Sequence, residues 1–503
     1  MEGTLENPYR WCRRGKGYRN SQAKGQSDIY FIIVVFSRVV FDTTFLLEVK
    51  KMILKIVQTI NTYLSDYVLI ILLIAIGVTY TIKTKFVQVR YFGEGMKKVF
   101  GNITFFGKDQ KGGMSSFQAL ATAIAAQVGT GNIVGASGAI LTGGPGAIFW
   151  MWIIAFFGMA TIYAEAVLAQ ETRVVKKDGT ILGGPVYYIT KAIKGDVGEF
   201  MAKFFAIAII LALGFFGTMV QSNSIGSTFY TAFCIPTWVV GVILVIISGM
   251  IFLGNINRLA SVTEKIVPIM AVLFIVCALI VLIVRIKYIP ETFSLIFKYA
   301  FTPQAIIGGS FGSAIKIAIS QGAKRGLFSN EAGMGSTPHA HALANVDKPH
   351  DQGVVAMIGV FTDTFVVLTL NAMVIISTLY THDGILASGI IPEGVNKANL
   401  AQIAFGTVFG ERLGAVIVAI CLFFFAFSTI LSWNLFGKIN VGWLMGKKMI
   451  VFYVVIALGF TFMGTLMSND LVWELTDLFN QLMVIPNVIA LFLLIKLVTK
   501  NCK

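Results

Sequence analysis

A run of small and polar residues interrupts one long apolar stretch of the chain, residues 114–141. The run consists of Gly129, Thr130, Gly131 and Asn132. Each glycine costs a helix interior roughly 1 kcal/mol against alanine, so two of them here predict local unwinding. Unwound backbone inside a bilayer persists only where protein or a water-filled cavity satisfies its polar groups. We therefore expect this break to bind a small charged solute.

A second glycine-rich run, Gly308, Gly309, Ser310 and Phe311, lies in the apolar stretch 303–321. It follows the first run by five predicted membrane crossings, which is the spacing expected of two inverted repeats of five helices. The alternative is that both runs are small-residue faces where helices pack closely, as is common in membranes. The equivalent positions of the two runs favour a pair of broken helices that share one site.

Two broken helices offer complementary groups to one small ligand. The start of a half-helix presents N–H groups and partial positive charge, which suit a carboxylate. The end of a half-helix and its unwound carbonyls accept hydrogen bonds from an ammonium group or ligate a cation. An amino-acid zwitterion carries both charges about 2.5 Å apart, judged from bond lengths. One unwound segment from each repeat would therefore satisfy both of its ends.

Four further polar residues stand out in apolar segments: Gln221, Ser428, Thr429 and Asp363. Burial of the Gln221 amide costs a few kcal/mol unless it is paired, so it would line the pocket or bond two helices together. The hydroxyls of Ser428 and Thr429 would ligate a cation or bond back to carbonyls one turn earlier. Asp363 lies deep in an apolar span, where a carboxylate is costly and usually functional. It would ligate a cation, carry a proton, or pair with a lysine or arginine.

The composition predicts an all-α, multi-pass membrane protein. Of the 503 residues, 56% are hydrophobic and 13% are charged, and the mean hydropathy is +0.79. The five scattered cysteines argue against a disulfide framework or a zinc site. A membrane-embedded enzyme is the weaker alternative, because no nucleophile–base pair or hydrolase motif stands at membrane depth. A passive channel would need repeated rings of polar residues, which the sequence lacks.

Runs of about 20 residues predict eleven membrane-crossing helices. Their ranges are 67–82, 114–141, 146–170, 200–223, 236–253, 264–285, 303–321, 353–379, 411–436, 449–467 and 471–496. The net charge of +15 does not indicate nucleic acid, because lysine and arginine gather in alternate loops. The intervening loops 142–146, 224–235 and 468–470 contain neither residue. The positive-inside rule therefore predicts that the first of these helices begins outside and that the C-terminus is cytoplasmic.

Several motifs together resemble one transporter family. GGPGAIFWMWIIAFFG occupies Gly143–Gly158, and the supporting motifs occupy Ala126–Ile133, Gly183–Tyr188, Met219–Ile225, Lys324–Pro338 and Phe361–Phe365. They resemble the alanine or glycine:cation symporters, also called sodium:alanine symporters. The resemblance implies a LeuT-type fold of the amino acid–polyamine–cation superfamily. That fold is a 5+5 inverted repeat with two discontinuous helices, here with one extra N-terminal transmembrane helix.

The resemblance also implies a function, which is sodium-coupled symport of a small neutral amino acid into the cell. The glycines at both breaks favour alanine or glycine as the substrate. The alternatives within the same class are proton coupling through Asp363, and transport of another amino acid such as serine or glutamine. The expected partners are the amino acid, Na+ as the coupling ion and the bilayer of the cell membrane. No other cofactor and no nucleic acid are expected, and the chain would act as a monomer.

The run Val128–Asn132 resembles the first broken helix of neurotransmitter:sodium symporters. By that match, the carbonyls of Ala125 and Val128 would ligate one sodium ion, together with the hydroxyls of Ser428 and Thr429.

A second cation site is implied by the same match. Gln127 and Asn132 would serve it, and Asp363 is a further candidate there, as a ligand or as a proton carrier. The sequence departs from the family pattern at the other broken helix, where Ile306 stands at the position expected to supply a hydroxyl.

The first 51 residues have no counterpart in the family pattern. Residues 1–27 are polar and basic, which predicts a poorly ordered segment. Residues 29–47 are apolar with two interior charges. They would form an extra hydrophobic helix or a signal-like segment, or they would be sequence read from upstream of the true start. We expect Met52 to be the native start and residues 52–503 to form a single transporter domain.

Overall fold

Helices make up nearly all of the chain that the structure describes. The computed structural model describes residues 43–101, 114–177, 179–254, 256–302, 311–382 and 384–502. The chain divides into two compact units, Met1–Thr62 and Tyr63–Lys503. Within the first unit, helix α1 occupies Thr43–Tyr63 and passes Met52 without interruption. The expected extension before residue 43 lies outside the described residues, and a native start at Met52 stays a prediction.

The first half of the second unit contains three helices that precede the repeats, followed by the helices of the first repeat. These are α2 (Ile70–Lys83), α3 (Val87–Arg90), α4 (Phe92–Phe100), α5 (Ser116–Gln127), α6 (Ala136–Gly143), α7 (Ala147–Thr172), α8 (Pro185–Ala192), α9 (Asp196–Ile209), α10 (Thr218–Phe233), α11 (Thr237–Phe252) and α12 (Ile256–Val284). Three π-helical turns join consecutive helices: π1 (Leu64–Leu69), π2 (Gly131–Gly135) and π3 (Ile210–Gly217). Two short antiparallel strands, β1 (Val174–Val175) and β2 (Ile181–Leu182), lie between α7 and α8.

The second half contains a surface helix and then the helices of the second repeat. After a 3-10 turn at Ile286–Tyr288, these are α13 (Ile289–Phe301), α14 (Phe311–Asn330), α15 (Pro338–Leu343), α16 (Pro349–Val360), α17 (Thr369–Leu379), α18 (Leu400–Phe409), α19 (Glu411–Leu444), α20 (Met449–Gly464), α21 (Asn469–Leu493) and α22 (Ile495–Asn501). A fourth π-helical turn, π4 (Phe361–Leu368), joins α16 to α17.

The prediction of a multi-pass helical membrane protein is confirmed. Among the described residues, seven helices are long and apolar enough to cross a membrane, and α5 with the bent continuation π2–α6 makes an eighth. The helices α11 and α20 match predicted spans but are shorter.

Two predicted spans end too early. The span 200–223 belongs to a continuous helical stretch, Asp196–Phe233, and the span 303–321 ends nine residues before α14 does. In both cases polar residues continue the helix while buried in the protein, so a hydropathy window stops before the helix does.

Equivalent helices of the two repeats pack against one another. The pairs in contact are α6 with α14, α7 with α16, α10 with α19, and α11 with α20. In each pair the second helix is the counterpart of the first, five crossings later in the chain. This pairing follows from an inverted repeat, and it places both broken helices in the middle of the bundle.

Helix α5 has a clear start and a clear end in the sequence. Ser115 and Gln118 form a capping box, in which Ser115 Oγ accepts from the Gln118 amide at 3.0 Å. The reciprocal bond from the Ser115 amide to Gln118 Oε1 measures 3.1 Å. At the other end, Val128 leaves helical geometry at ψ 87° immediately before Gly129. A capped start and a glycine end therefore fix where the first break begins.

Close backbone approach at Gly146 yields the first testable prediction. A Cβ at Gly146 would lie 2.1 Å from the carbonyl carbon of Tyr299 in α13. Gly146→Ala should therefore lower the midpoint of thermal unfolding in detergent, with a cost of about 1–3 kcal/mol from overpacking. Gly459→Ala is the control, because no heavy atom lies within 4 Å of its added Cβ. Equal midpoints for the two variants would contradict the close approach.

Candidate functional site

The first helix break occupies the run that the sequence indicated. Helix α5 ends at Gln127, and helical backbone resumes only in π2. The Gly129 amide donates to Asn132 Oδ1 at 3.0 Å, and the Thr130 amide donates to Gln221 Oε1 at 3.1 Å. These side chains replace the helical hydrogen bonds that the break removes, as buried backbone requires.

Gln221 of α10 contacts the break from a neighbouring helix. Its Oε1 accepts hydrogen bonds from both the amide and the hydroxyl of Thr130. The side chain is fully buried, and its Nε2 has no partner among the described residues. Buried N–H groups without a partner are rare in native structures. A ligand carboxylate held beside the break would supply the missing acceptor.

The two glycines of this break are required by close neighbours. A Cβ on Gly129 would lie 2.5 Å from Thr429 Oγ1. A Cβ on Gly131 would lie 3.0 Å from Ser329 Cα and 3.1 Å from Phe328 Cδ1. The unwound backbone is therefore pressed between α19 and α14.

Oxygen atoms from α5 and α19 meet beside the first break. Thr429 Oγ1 donates to the Ala125 carbonyl at 2.8 Å, and Ser428 Oγ lies 3.5 Å from the same oxygen. Both hydroxyls also donate to the Phe425 carbonyl one turn earlier, at 2.9 Å from Ser428 and 3.0 Å from Thr429. Val128 is buried at the end of α5, where its carbonyl is no longer in helical geometry. The arrangement thus contains both the back-bonded hydroxyls and the oxygens of the implied cation site.

A carboxylate from π4 gathers polar groups from separate elements. Asp363 Oδ1 accepts from Asn132 Nδ2 at 2.6 Å. Asp363 Oδ2 accepts from Ser329 Oγ at 2.9 Å and from Thr364 Oγ1 at 2.8 Å. All four side chains are fully buried, and no described lysine or arginine pairs with Asp363. A partner cation from the protein is therefore not what holds this carboxylate in the membrane interior.

Ser329 is a functional candidate that the sequence reasoning missed. Ile306, where a hydroxyl was expected, lies outside the described residues, whereas Ser329 in the last turn of α14 bonds Asp363. Gln127 is adjacent, since its Nε2 donates to the Asn330 carbonyl at 2.8 Å. Its Oε1 is buried without a partner in the described part of the chain. The signal available in the sequence was the pair of polar residues, Ser329 and Asn330, that follows Leu327 and Phe328.

The second break that the structure describes follows α14, at residues 331–337. Gly333 and Gly335 adopt positive φ values of +91° and +80°, which glycine tolerates best. Glu165 of α7 accepts the amide hydrogens of both glycines, at 3.1 and 3.0 Å. Asn487 of α21 donates to Glu165 at 2.6 Å and to the Gly333 carbonyl at 2.9 Å. The Glu165 carboxylate therefore already accepts the hydrogen bonds that the two glycine amides of this break can donate.

The break predicted at the glycine run Gly308 to Phe311 stays a prediction. Gly308, Gly309 and Ser310 lie outside the described residues, and Phe311 begins the uninterrupted 20-residue helix α14. Phe311 is about 28 Å from Asn330 by helical rise, too far to line a site at the first break. Phe311 therefore lies apart from the described break at residues 331–337.

An ion-pair cluster lies beside π2 and α6, which follow the first break, and it borders a cavity of about 220 Å³. Lys324 and Arg325 of α14 pair with Asp477 of α21 at 2.8 and 3.0 Å. The Arg325 guanidinium also lies 4.5 Å from the centre of the Trp473 ring. Lys397, on the connection between α17 and α18, lies 5.3 Å from the same ring. Burial and then the charge of Arg325 lower the pKa of Lys397 below its ordinary value.

The available donors suit an alkali cation. Carbonyl, hydroxyl and carboxylate oxygens are hard ligands of the kind that transporters use for sodium at broken helices. Within the described ranges, no group of three or more His, Cys, Asp and Glu side chains could hold a transition metal.

Comparison with solved structures confirms the LeuT-type arrangement. The chain superposes on MhsT, whose crystal structure contains L-phenylalanine, with a TM-score of 0.53 and 14% identity. The match covers 78% of this chain and all of MhsT. At this level of identity the likeness shows the fold alone.

Sequence comparison identifies the family. The chain is 38% identical over 450 residues to the sodium/alanine symporter AgcS of Methanococcus maripaludis, which covers 89% of this chain and 96% of AgcS. It is also 38% identical over 444 residues to the probable sodium/glutamine symporter GlnT of Bacillus subtilis, with 88% of each chain covered. The model of the sodium:alanine symporter family matches residues 50–503. This chain, a transporter and not an enzyme, therefore belongs to the sodium:alanine symporter family.

Proposed function

We propose that this transporter couples the inward flow of Na+ to the uptake of a small neutral amino acid, alanine or glycine. The observation that carries the proposal is the contact between Thr429 Oγ1 and the Ala125 carbonyl, directly beside the glycine break. A cation at this point would join α5 to α19 while the break binds the amino acid. The relative AgcS, a named sodium/alanine symporter, supports the same assignment.

The first break is the better of the two for the substrate carboxylate. The outer half-helix Gly131–Gly143 begins here, and its first N–H groups and positive dipole end suit an anion. Gln221 adds a buried N–H without a partner among the described residues. The corresponding amides of the second break already donate to Glu165. The ammonium group would then face the backbone carbonyls at the end of α14.

Two cation sites are proposed beside this pocket. The first uses the carbonyls of Ala125 and Val128 with the hydroxyls of Ser428 and Thr429. A sodium ion there would replace the hydrogen bond that Thr429 now donates to Ala125.

The second cation site is centred on Asp363. Asn132, Ser329 and Thr364 bond its carboxylate. Gln127 bonds the carbonyl of Asn330, next to Ser329, and its amide oxygen has no partner among the described residues. A carboxylate buried without a cationic side chain is well suited to hold either Na+ or a proton. Sodium is the proposed occupant, and proton coupling through Asp363 is the alternative.

Close packing limits the size of the substrate. Gly129 and Gly131 lie against Thr429, Ser329 and Phe328 with no space for a side chain. Alanine and glycine fit this restriction best. Serine and glutamine remain alternatives, because the relative GlnT is named a probable sodium/glutamine symporter at the same level of identity.

The orientation of the chain in the membrane follows from the distribution of charge. By the positive-inside rule, the first helix of the transporter domain begins outside and the C-terminus is cytoplasmic, in the cell membrane. The cluster of Arg325, Asp477 and Trp473 then closes the site toward the outside. The break between α14 and α15 closes it toward the cytoplasm. Each Na+ that enters down a potential of 100 mV supplies about 2.3 kcal/mol, enough for roughly 50-fold accumulation.

Uptake into proteoliposomes tests the function directly. Radiolabelled alanine should accumulate above equilibrium with an inward Na+ gradient and fail to do so when K+ replaces Na+. Competition by unlabelled glycine, serine and glutamine then ranks the substrates. Accumulation driven equally by a pH gradient would transfer the coupling role to a proton, and an absence of uptake under either gradient would refute the proposed substrate.

Thr429→Val tests the first cation site. The substitution keeps the shape of the side chain and removes the hydroxyl, so the Na+ concentration for half-maximal uptake should rise about tenfold or more. Thr461→Val is the matched control, because the only partner of the Thr461 hydroxyl in the described part of the chain is the Ala457 carbonyl of α20, at 2.8 Å. The same sodium dependence in both variants would argue against ligation by Thr429.

Asp363→Asn separates charge from shape at the second cation site. Loss of the negative charge should abolish sodium-driven accumulation of alanine. The rate of alanine flux down its own concentration gradient should fall by a smaller factor. The control is Asp196→Asn, an exposed aspartate at the start of α9. Wild-type accumulation and unchanged sodium dependence in Asp363→Asn would remove this carboxylate from the coupling mechanism.

A further inference from the structure

Glu331 is the first residue after α14, and its backbone is strained. Its φ of +58° lies in the left-handed region, which costs a residue with a side chain on the order of 1–2 kcal/mol. Helices commonly end with glycine in this conformation. A glutamate retained in a strained, buried position indicates that its side chain has a specific role.

The carboxylate of Glu331 ties three elements together. Its Oε1 accepts the indole N–H of Trp433 in α19 at 2.5 Å, and its Oε2 accepts the hydroxyl of Ser336 just before α15. Glu331 is fully buried and pairs with no described lysine or arginine. A carboxylate buried in this way is costly unless its bonds are kept. These two bonds therefore fasten both ends of the second break to α19.

Trp433 is itself held in one orientation. A Cβ on Gly217 of π3 would lie 2.5 Å from Trp433 Cζ3. On another side, the ring of Phe328 meets the indole edge to face, with 5.8 Å between centres and an angle of 88°. Thr429 precedes Trp433 by four residues, so the two side chains lie on the same face of α19. The indole thus stands between the hydroxyl of the first cation site and Glu331.

We propose that Glu331 is a positioning residue that couples sodium binding to the amino-acid pocket. This proposal rests on the proposed function, because it assumes Na+ at Thr429. When Na+ replaces the bond from Thr429 to Ala125, α19 adjusts its position, and Trp433 transmits that adjustment to Glu331. Glu331 then sets the end of α14, where Ser329 and Phe328 contact the first break. Sodium consequently tightens substrate binding through a two-residue link.

Equilibrium binding measures this coupling. The dissociation constant of radiolabelled alanine is determined for the purified full-length protein in saturating Na+ and with K+ in its place. The coupling ratio is the dissociation constant in K+ divided by that in Na+. This ratio should fall about tenfold in Trp433→Phe, which removes the indole N–H. It should fall several-fold in Glu331→Gln, which keeps an acceptor but not the charge. The double variant should lose no more than Trp433→Phe alone, because both changes break one link.

A second tryptophan provides the matched control. The indole of Trp152 in α7 donates to Thr369 Oγ1 at 2.8 Å, and that hydroxyl donates to the Thr364 carbonyl rather than to Glu331 or Trp433. Trp152→Phe therefore loses a comparable hydrogen bond and should keep the wild-type ratio. A purely structural defect in the test variants would weaken binding equally with and without Na+, and the ratio would not change.

The outcomes are separable. An unchanged ratio in both single variants, or additive losses in the double variant, would overturn the link. If Glu331→Gln does not fold, Trp433→Phe against Trp152→Phe decides the question. A wild-type protein whose affinity for alanine does not depend on Na+ would refute the proposed function itself, before any variant is compared.

Discussion

Backbone N–H and C=O groups that leave a helix inside a membrane must find partners within the protein, because lipid offers none. The two helix breaks of this transporter meet that requirement differently. At the first break, Asn132 and Gln221 accept amide hydrogens from Gly129 and Thr130. At the second, Glu165 accepts a pair of amides from unwound glycines. The positions of Asn132, Gln221 and Glu165 follow from this constraint.

The difference between the breaks indicates which of them can accept the carboxylate of an amino acid. The second break is neutralised by a fixed internal carboxylate, whereas the first has a glutamine whose Nε2 still lacks a described partner. An amino-acid carboxylate would complete the first break, and cations beside it would balance Asp363. Glu331 and Trp433 then connect the second break to the helix that carries Thr429. Under the proposed function, these hydrogen bonds would link substrate binding to cation binding.

Much of this could be predicted from the sequence. Composition gave the fold class, and the glycines at 129 and 131 located the first break because a helix cannot tolerate them without cost. Gln221, Asn132, Thr429 and Asp363 stood out because polar groups in apolar spans need partners. The second break could not be located in the same way. Its glycines lie beyond a stretch with lysine, arginine and asparagine, and hydropathy cannot distinguish polar residues buried in protein from those in water.

The most direct test of this account is a density map of the protein with L-alanine and Na+ bound. The account predicts that the carboxylate of alanine lies at the amides after Thr130, within hydrogen-bonding distance of Gln221 Nε2. It also predicts one sodium ion between Ala125 and Thr429, and Glu165 still bonded to the second break. A carboxylate bound instead at Gly333 and Gly335, with Glu165 displaced, would contradict it.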